Sequence, residues 1–184
     1  MKQVVIDCET TGEFVSEGHR LIEIAAVQII DGKVSENYFH KYIDPQRAIA
    51  KEASEAHGIN DAFVKEEPVF ADIVGEFYQF LKDSDELLIH NAKFDVGFIN
   101  NELQIMSETY TPIDKEFKII DTLALARELL PNSKRNLDTL CGYFNIDVEH
   151  NENYENLWGA LLDCRILADV YLEMIRDMEL GNGR

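Results

Sequence analysis

The chain has 184 residues, 46% of them hydrophobic, which suits one domain with a substantial core rather than two. Acidic residues outnumber Lys and Arg by 35 to 17, and the net charge of −18 argues against a self-sufficient nucleic-acid binder, so any strand the protein acts on calls for a partner to present it. Three widely spaced cysteines, Cys8, Cys141 and Cys164, suggest neither a disulfide framework nor a zinc knuckle, and with no membrane-length apolar run and no charged leader a soluble cytoplasmic protein is expected.

Gln3 to Asp7 is a short β-branched run that ends in carboxylates and is followed by a Thr10-Thr11-Gly12 turn. Leu21 to Ile30 and Val34 to Ile43 are apolar runs joined by Asp31-Gly32, a hairpin signal, so the chain opens with a three-stranded antiparallel meander. Beyond Asp44-Pro45 the pattern turns helical. Val69, Ile73, Phe77 and Leu81 recur at four-residue spacing behind Pro68, which predicts an amphipathic helix. Glu86 to Ile89 reads as a buried strand leading into His90-Asn91 and a helix with Phe94, Phe98 and Ile105 on one face. Phe117 to Ile120, and a helix from about Thr122 to Leu130 closed by Pro131, repeat that β-α unit. A short helix over Leu137 to Phe144, a polar loop from Asp147 to Asn156 and a last helix from Gly159 to about Met178 follow. Gly181-Asn182-Gly183 predicts a frayed, flexible end over residues 179–184. The elements add up to an α/β fold: a ribonuclease-H-like mixed sheet, with a three-stranded antiparallel meander plus parallel strands, flanked by helices in one domain over residues 1–178.

Asp7 and Glu9, two apart at a strand end, leave the same face roughly 6.6 Å apart along the backbone and can reach one ion. Taken alone, the pair reads more readily as solvated carboxylates at a strand end. The Thr-Thr-Gly turn beside them lets backbone approach a ligand, while Cys8 points the other way as a core thiol. Asp95, in HNAKFD, and Asp163, in GALLD, open two helices, where Asp serves as a cap or meets the positive end of the dipole, which also keeps the acid ionised. Together Asp7, Glu9, Asp95 and Asp163 offer the oxygen donors that hard cations need. A pair of divalent cations roughly 4 Å apart would activate a water and stabilise the leaving oxygen of an in-line phosphodiester displacement, so hydrolysis is the implied reaction.

The motifs IDCETTG (Ile6 to Gly12), LIEIAAV (Leu21 to Val27), AHGI (Ala56 to Ile59), IHNAKFD (Ile89 to Asp95) and LWGALLDCRILADVYLEM (Leu157 to Met174) carry a resemblance that runs from about residue 3 to residue 176. The sequence resembles the DEDDh 3′→5′ exonucleases, most closely the proofreading subunits of bacterial DNA polymerase III. The resemblance implies that Asp7, Glu9 and Asp163 bind Mg²⁺ or Mn²⁺ directly and contact substrate, with Asp95 completing the set through water. It also implies that Glu52 and His57 lie near the scissile nucleotide; from the residues alone, His57 reads more readily as a plain surface histidine. A single-stranded DNA 3′ end as substrate and a DNA polymerase catalytic subunit as partner are further implications.

One position departs from the family pattern. A His stands in the family five residues before the last Asp and takes the proton from the attacking water, whereas here that residue is Trp158. The tyrosine-type branch places its base four residues before that Asp, and that slot holds Gly159. Indole offers one N–H donor and no acceptor nitrogen, so it collects no proton at physiological pH. His150 and Tyr154, upstream in the polar loop, are the groups that could swing in. Loss of a positioned base typically costs about 10²–10⁴-fold, which predicts an enzyme that binds metal and the 3′ end but cleaves slowly. Trp158 itself reads either as an aromatic packed against the loop or as a platform for the terminal base. Two other functions stay open: a catalytically silent scaffold or 3′-end binding module, which Trp158 favours and the clustered acids disfavour, and an exonuclease of RNA 3′ ends, on which the motifs are silent.

Overall fold

In the computed structural model, residues 1–106, 110–131 and 135–181 are described, and of the expected frayed end residues 182–184 lie outside that set. The alternation of the first strand organises the rest. In β1 (Lys2–Thr10), Val4, Ile6 and Cys8 face one helical layer while Val5 faces the other, and Asp7 and Glu9 share the face of Val5 by the two-residue period of a strand. β2 (Leu21–Ile30) pairs antiparallel with β1, and β3 (Lys33–Tyr42) antiparallel with β2 through Asp31-Gly32, both at positive φ as the tight hairpin requires. β4 (Glu86–Ile89) and β5 (Ile119–Asp121) extend the sheet in parallel on the other side, giving the order β3-β2-β1-β4-β5. This is the mixed sheet that the sequence predicts.

Two short helices, α1 (Lys51–His57) and α2 (Asp61–Val64), follow the meander, where Ile59 and Val64 cover Ile22. α3 (Phe70–Leu81), α4 (Ala92–Ile105) and α5 (Ile113–Glu116) bury Phe70, Phe77, Phe98 and Ile113 against Val4 and Ile6. On the opposite face, α6 (Thr122–Leu129), α7 (Leu137–Phe144) and α8 (Gly159–Glu179) cover Val5, Ala25 and Val27. No helix among the described residues is long and apolar enough to cross a membrane.

Two boundaries and the place of one residue within its helix differ from expectation, each for a local reason. β1 continues past Asp7 to Thr10 because Glu9 and Thr10 still pair with β2 across a register shift. β5 starts at Ile119 rather than Phe117, since the single turn of α5 ends with the Phe117 N–H donating to Ile113 O at 2.9 Å. α8 begins at Gly159, which puts Asp163 in its second turn rather than at its opening. The C-terminal ends of the parallel strands β1 and β4 thus lie along one edge, the side on which open α/β sheets form their ligand crevices.

Candidate metal centre and active site

Carboxylate oxygens of Asp7, Glu9 and Asp163 all lie within 4.8 Å of one another. The packing of α8 produces that meeting. Ala160, Cys164, Leu167, Val170, Tyr171 and Met174 form its buried stripe against the sheet, and Asp163 falls on the same side at the end nearest the carboxylates of β1. The Cys164 thiol anchors this turn by donating to Ala25 O at 3.4 Å. Asp95 comes from the other helical layer. Its helix starts directly after Asn91, whose left-handed φ of 68° turns the chain sharply out of β4, and Asp95 ends 3% exposed beside the thiol and main chain of Cys8. It therefore adjoins the cluster without belonging to the 4.8 Å set.

Crowding and burial disturb every one of these acids. Burial drives Asp7 well above the usual carboxylate range, with the charges of Asp95, Asp163, Glu9 and Glu23 adding to it. Glu9 is pushed up to about 7 by burial and then by Glu23, and Asp163 to about 6 by burial and then by Asp138. Asp95 rises to about 7 through burial, which outweighs the main-chain and Cys8 hydrogen bonds that favour its charge. Desolvation outweighs what the helix dipoles contribute at Asp95 and Asp163, and Asp163 lies beyond the first turn where the dipole acts. All the donors are oxygens, tightly grouped and short of positive charge, a combination that fits a hard divalent cation.

A fifth acid belongs to this neighbourhood, and the sequence reading passes over it. Glu23 is the cross-strand partner of Glu9 and is completely buried. Its Oε1 lies 2.7 Å from His40 Nε2, while its Oε2 has no hydrogen-bond partner. A Cβ built on Gly159 would fall 2.5 Å from that free oxygen, and Gly159 has a φ of +56°, so the first residue of α8 is glycine on two counts. The available signal was an acid inside the otherwise apolar run Leu21 to Val27.

Trp158 precedes Gly159 in extended backbone and is 69% exposed, so it is not packed against the loop. Tyr154 is buried and its hydroxyl donates to Asp169, and His150 is exposed with its Nδ1 3.2 Å from Asp147 Oδ1. His57, in the last turn of α1, accepts the Ile59 N–H at Nδ1 (3.1 Å), leaving a buried Nε2 without a partner. Burial lowers its pKa against the opposing pull of the Thr10 main chain and Glu23. Glu52 is exposed in the first turn of α1, a helix tied to the end of β1 by the Ala50 N–H donating to Thr11 O at 2.9 Å.

A family model described as exonuclease matches residues 4–171. DNA polymerase III subunit epsilon of Salmonella typhimurium is 42% identical over 177 residues, covering 94% of this chain and 71% of that protein. The same subunit of Escherichia coli is 40% identical with the same coverage of both chains. Among solved structures, exonuclease X in complex with duplex DNA bearing a 5′ overhang has a TM-score of 0.73 at 27% identity, covering 95% of this chain and 91% of that one. The nuclease domain of 3′hExo, a DEDDh family member bound to rAMP, shares the fold, with a TM-score of 0.76 at 19% identity over 96% of this chain and 92% of that one.

Proposed function

The chain belongs to the exonuclease family, and from that premise we propose that it removes nucleotides from DNA 3′ ends in the 3′→5′ direction, as proofreading in replication requires. The observation that carries this reading is the convergence of Asp7, Glu9 and Asp163 within 4.8 Å at the sheet edge, with Asp95 buried beside them. In it, Asp7, Glu9 and Asp163 hold Mg²⁺ or Mn²⁺ directly and Asp95 completes the set through water. Bound there, a pair of such cations would supply water activation and stabilise the leaving oxygen. His57, with its Nε2 unpartnered, and Glu52 on the same helix bind the terminal nucleotide. One domain over residues 1–178 carries these groups, and it acts in the cytoplasm on a DNA polymerase catalytic subunit that presents the strand.

Trp158 supports a slow enzyme rather than a fast one, because the position of the family's base holds a group that accepts no proton. It also favours a second reading, a silent 3′-end binding module. Metal titration by calorimetry together with digestion of 5′-labelled single-stranded DNA in Mn²⁺ separates the two. Shortening from the 3′ end that disappears in Asp7→Asn supports the exonuclease, whereas Mn²⁺ binding with no shortening, even at high enzyme concentration, supports the module. A matched RNA oligonucleotide in the same assay tests the choice of sugar.

A further inference from the structure

Glu23 carries more than its place in the strand explains. A wholly buried carboxylate normally has both oxygens satisfied. Here His40 Nε2, 2.7 Å away, holds one of them, and the other has no partner and points at the backbone of Gly159. That backbone is one residue from Trp158, the position where the family pattern puts its base. The same carboxylate faces Glu9 across the strand pair, and its charge also reaches Asp7, Asp163 and His57. An acceptor with no donor therefore lies beside Gly159 and across the strand pair from Glu9, one of the candidate metal ligands.

On the exonuclease reading above, we propose that Glu23 Oε2 orients the attacking water in this chain, in place of a base at position 158, and that His40 is the positioning residue that fixes the carboxylate. The arrangement suits the task. The lack of a side chain at Gly159 is what makes room for the carboxylate, since a Cβ there would fall 2.5 Å from the free oxygen. His40 is itself held, packed edge-on against Tyr42 with ring centroids 5.0 Å apart, so the Glu23 carboxylate has little freedom to turn its bare oxygen elsewhere.

The test is a cycle between positions 23 and 158, read on single-stranded DNA in Mn²⁺ with metal affinity followed separately by calorimetry. Glu23→Gln keeps the shape and loses the acceptor charge, and it should lower kcat about thirtyfold with KM and Mn²⁺ affinity nearly unchanged. His40→Gln should lower kcat in the same direction by a smaller factor. In a Trp158→His background, which supplies a base, Glu23→Gln should cost no more than about threefold. Equal losses in both backgrounds overturn the proposal, because a structural or metal-binding role does not depend on what stands at 158. Collapse of Mn²⁺ affinity in Glu23→Gln also overturns it, by making Glu23 a ligand. If Glu23→Gln does not fold, the His40→Gln cycle with Trp158→His decides by the same comparison. Absence of cleavage by both the natural chain and Trp158→His sinks the exonuclease reading instead, so the two failures are distinct.

Discussion

At the scale of single residues, positions 158 and 159 make opposite demands. Trp158 is two-thirds exposed and makes no side-chain cap to α8, so replacing it should disturb the fold little. Its cost falls on chemistry. Trp158→His should raise Mn²⁺-dependent turnover on single-stranded DNA by about a hundredfold or more, and equal rates would place the base elsewhere. Gly159 is the reverse case. Gly159→Ala adds a methyl group 2.5 Å from the unpartnered oxygen of a buried carboxylate whose other oxygen His40 holds, at a φ of +56°. The strained backbone and the overpacking together should lower unfolding stability by about 1–3 kcal/mol in denaturant titration, and an unchanged midpoint would show that Glu23 yields.

At the scale of elements, β1 and α8 press acids together that would separate if either element moved, and this makes stability depend on pH in an unusual direction. Glu9 and Asp95 rise to about 7 and Asp163 to about 6, all above the range of an unfolded chain. The folded protein thus keeps protons that the unfolded chain has already released, and raising the pH through those values favours unfolding. The melting temperature of the metal-free protein should fall from about pH 5.5 to about pH 8, and added Mn²⁺ should raise it more at the higher pH, since metal binds the ionised acids. A melting temperature that rises over this range would show the acids to be far less crowded. Much of this arrangement was legible beforehand. Asp7 and Glu9 declare their shared face through strand period, and the apolar spacing of Leu162, Ile166, Val170 and Met174 declares α8. What stayed hidden depends on register across strands: nothing local says that Glu9 faces Glu23, that Gly159 lies on that same carboxylate, or that β1 continues to Thr10. The upward shift of Asp163 stayed hidden because sequence places it near a helix start, whereas its surroundings are set by the sheet it packs on.

At the scale of the whole molecule, the site needs phosphate and the surface repels it. With a net charge of −18, few phosphates can be neutralised by Lys and Arg, and counterion release has little to contribute. What the surface does offer is exposed aromatic rings: Phe14 just after the turn that ends β1, Phe63 in α2 and Trp158 at the head of α8. Stacking on such rings is tolerant of sequence and depends little on salt. Binding of a single-stranded oligonucleotide by the isolated protein, measured by fluorescence anisotropy in EDTA to prevent cleavage, should therefore be weak. Its logarithmic salt dependence should be shallower than the slope of about −0.7 expected for even one neutralised phosphate. Higher salt could strengthen binding slightly by screening repulsion. A steep loss of affinity with salt would reveal a basic footprint concealed by the overall charge, and with it would go the need for a polymerase to hold the strand.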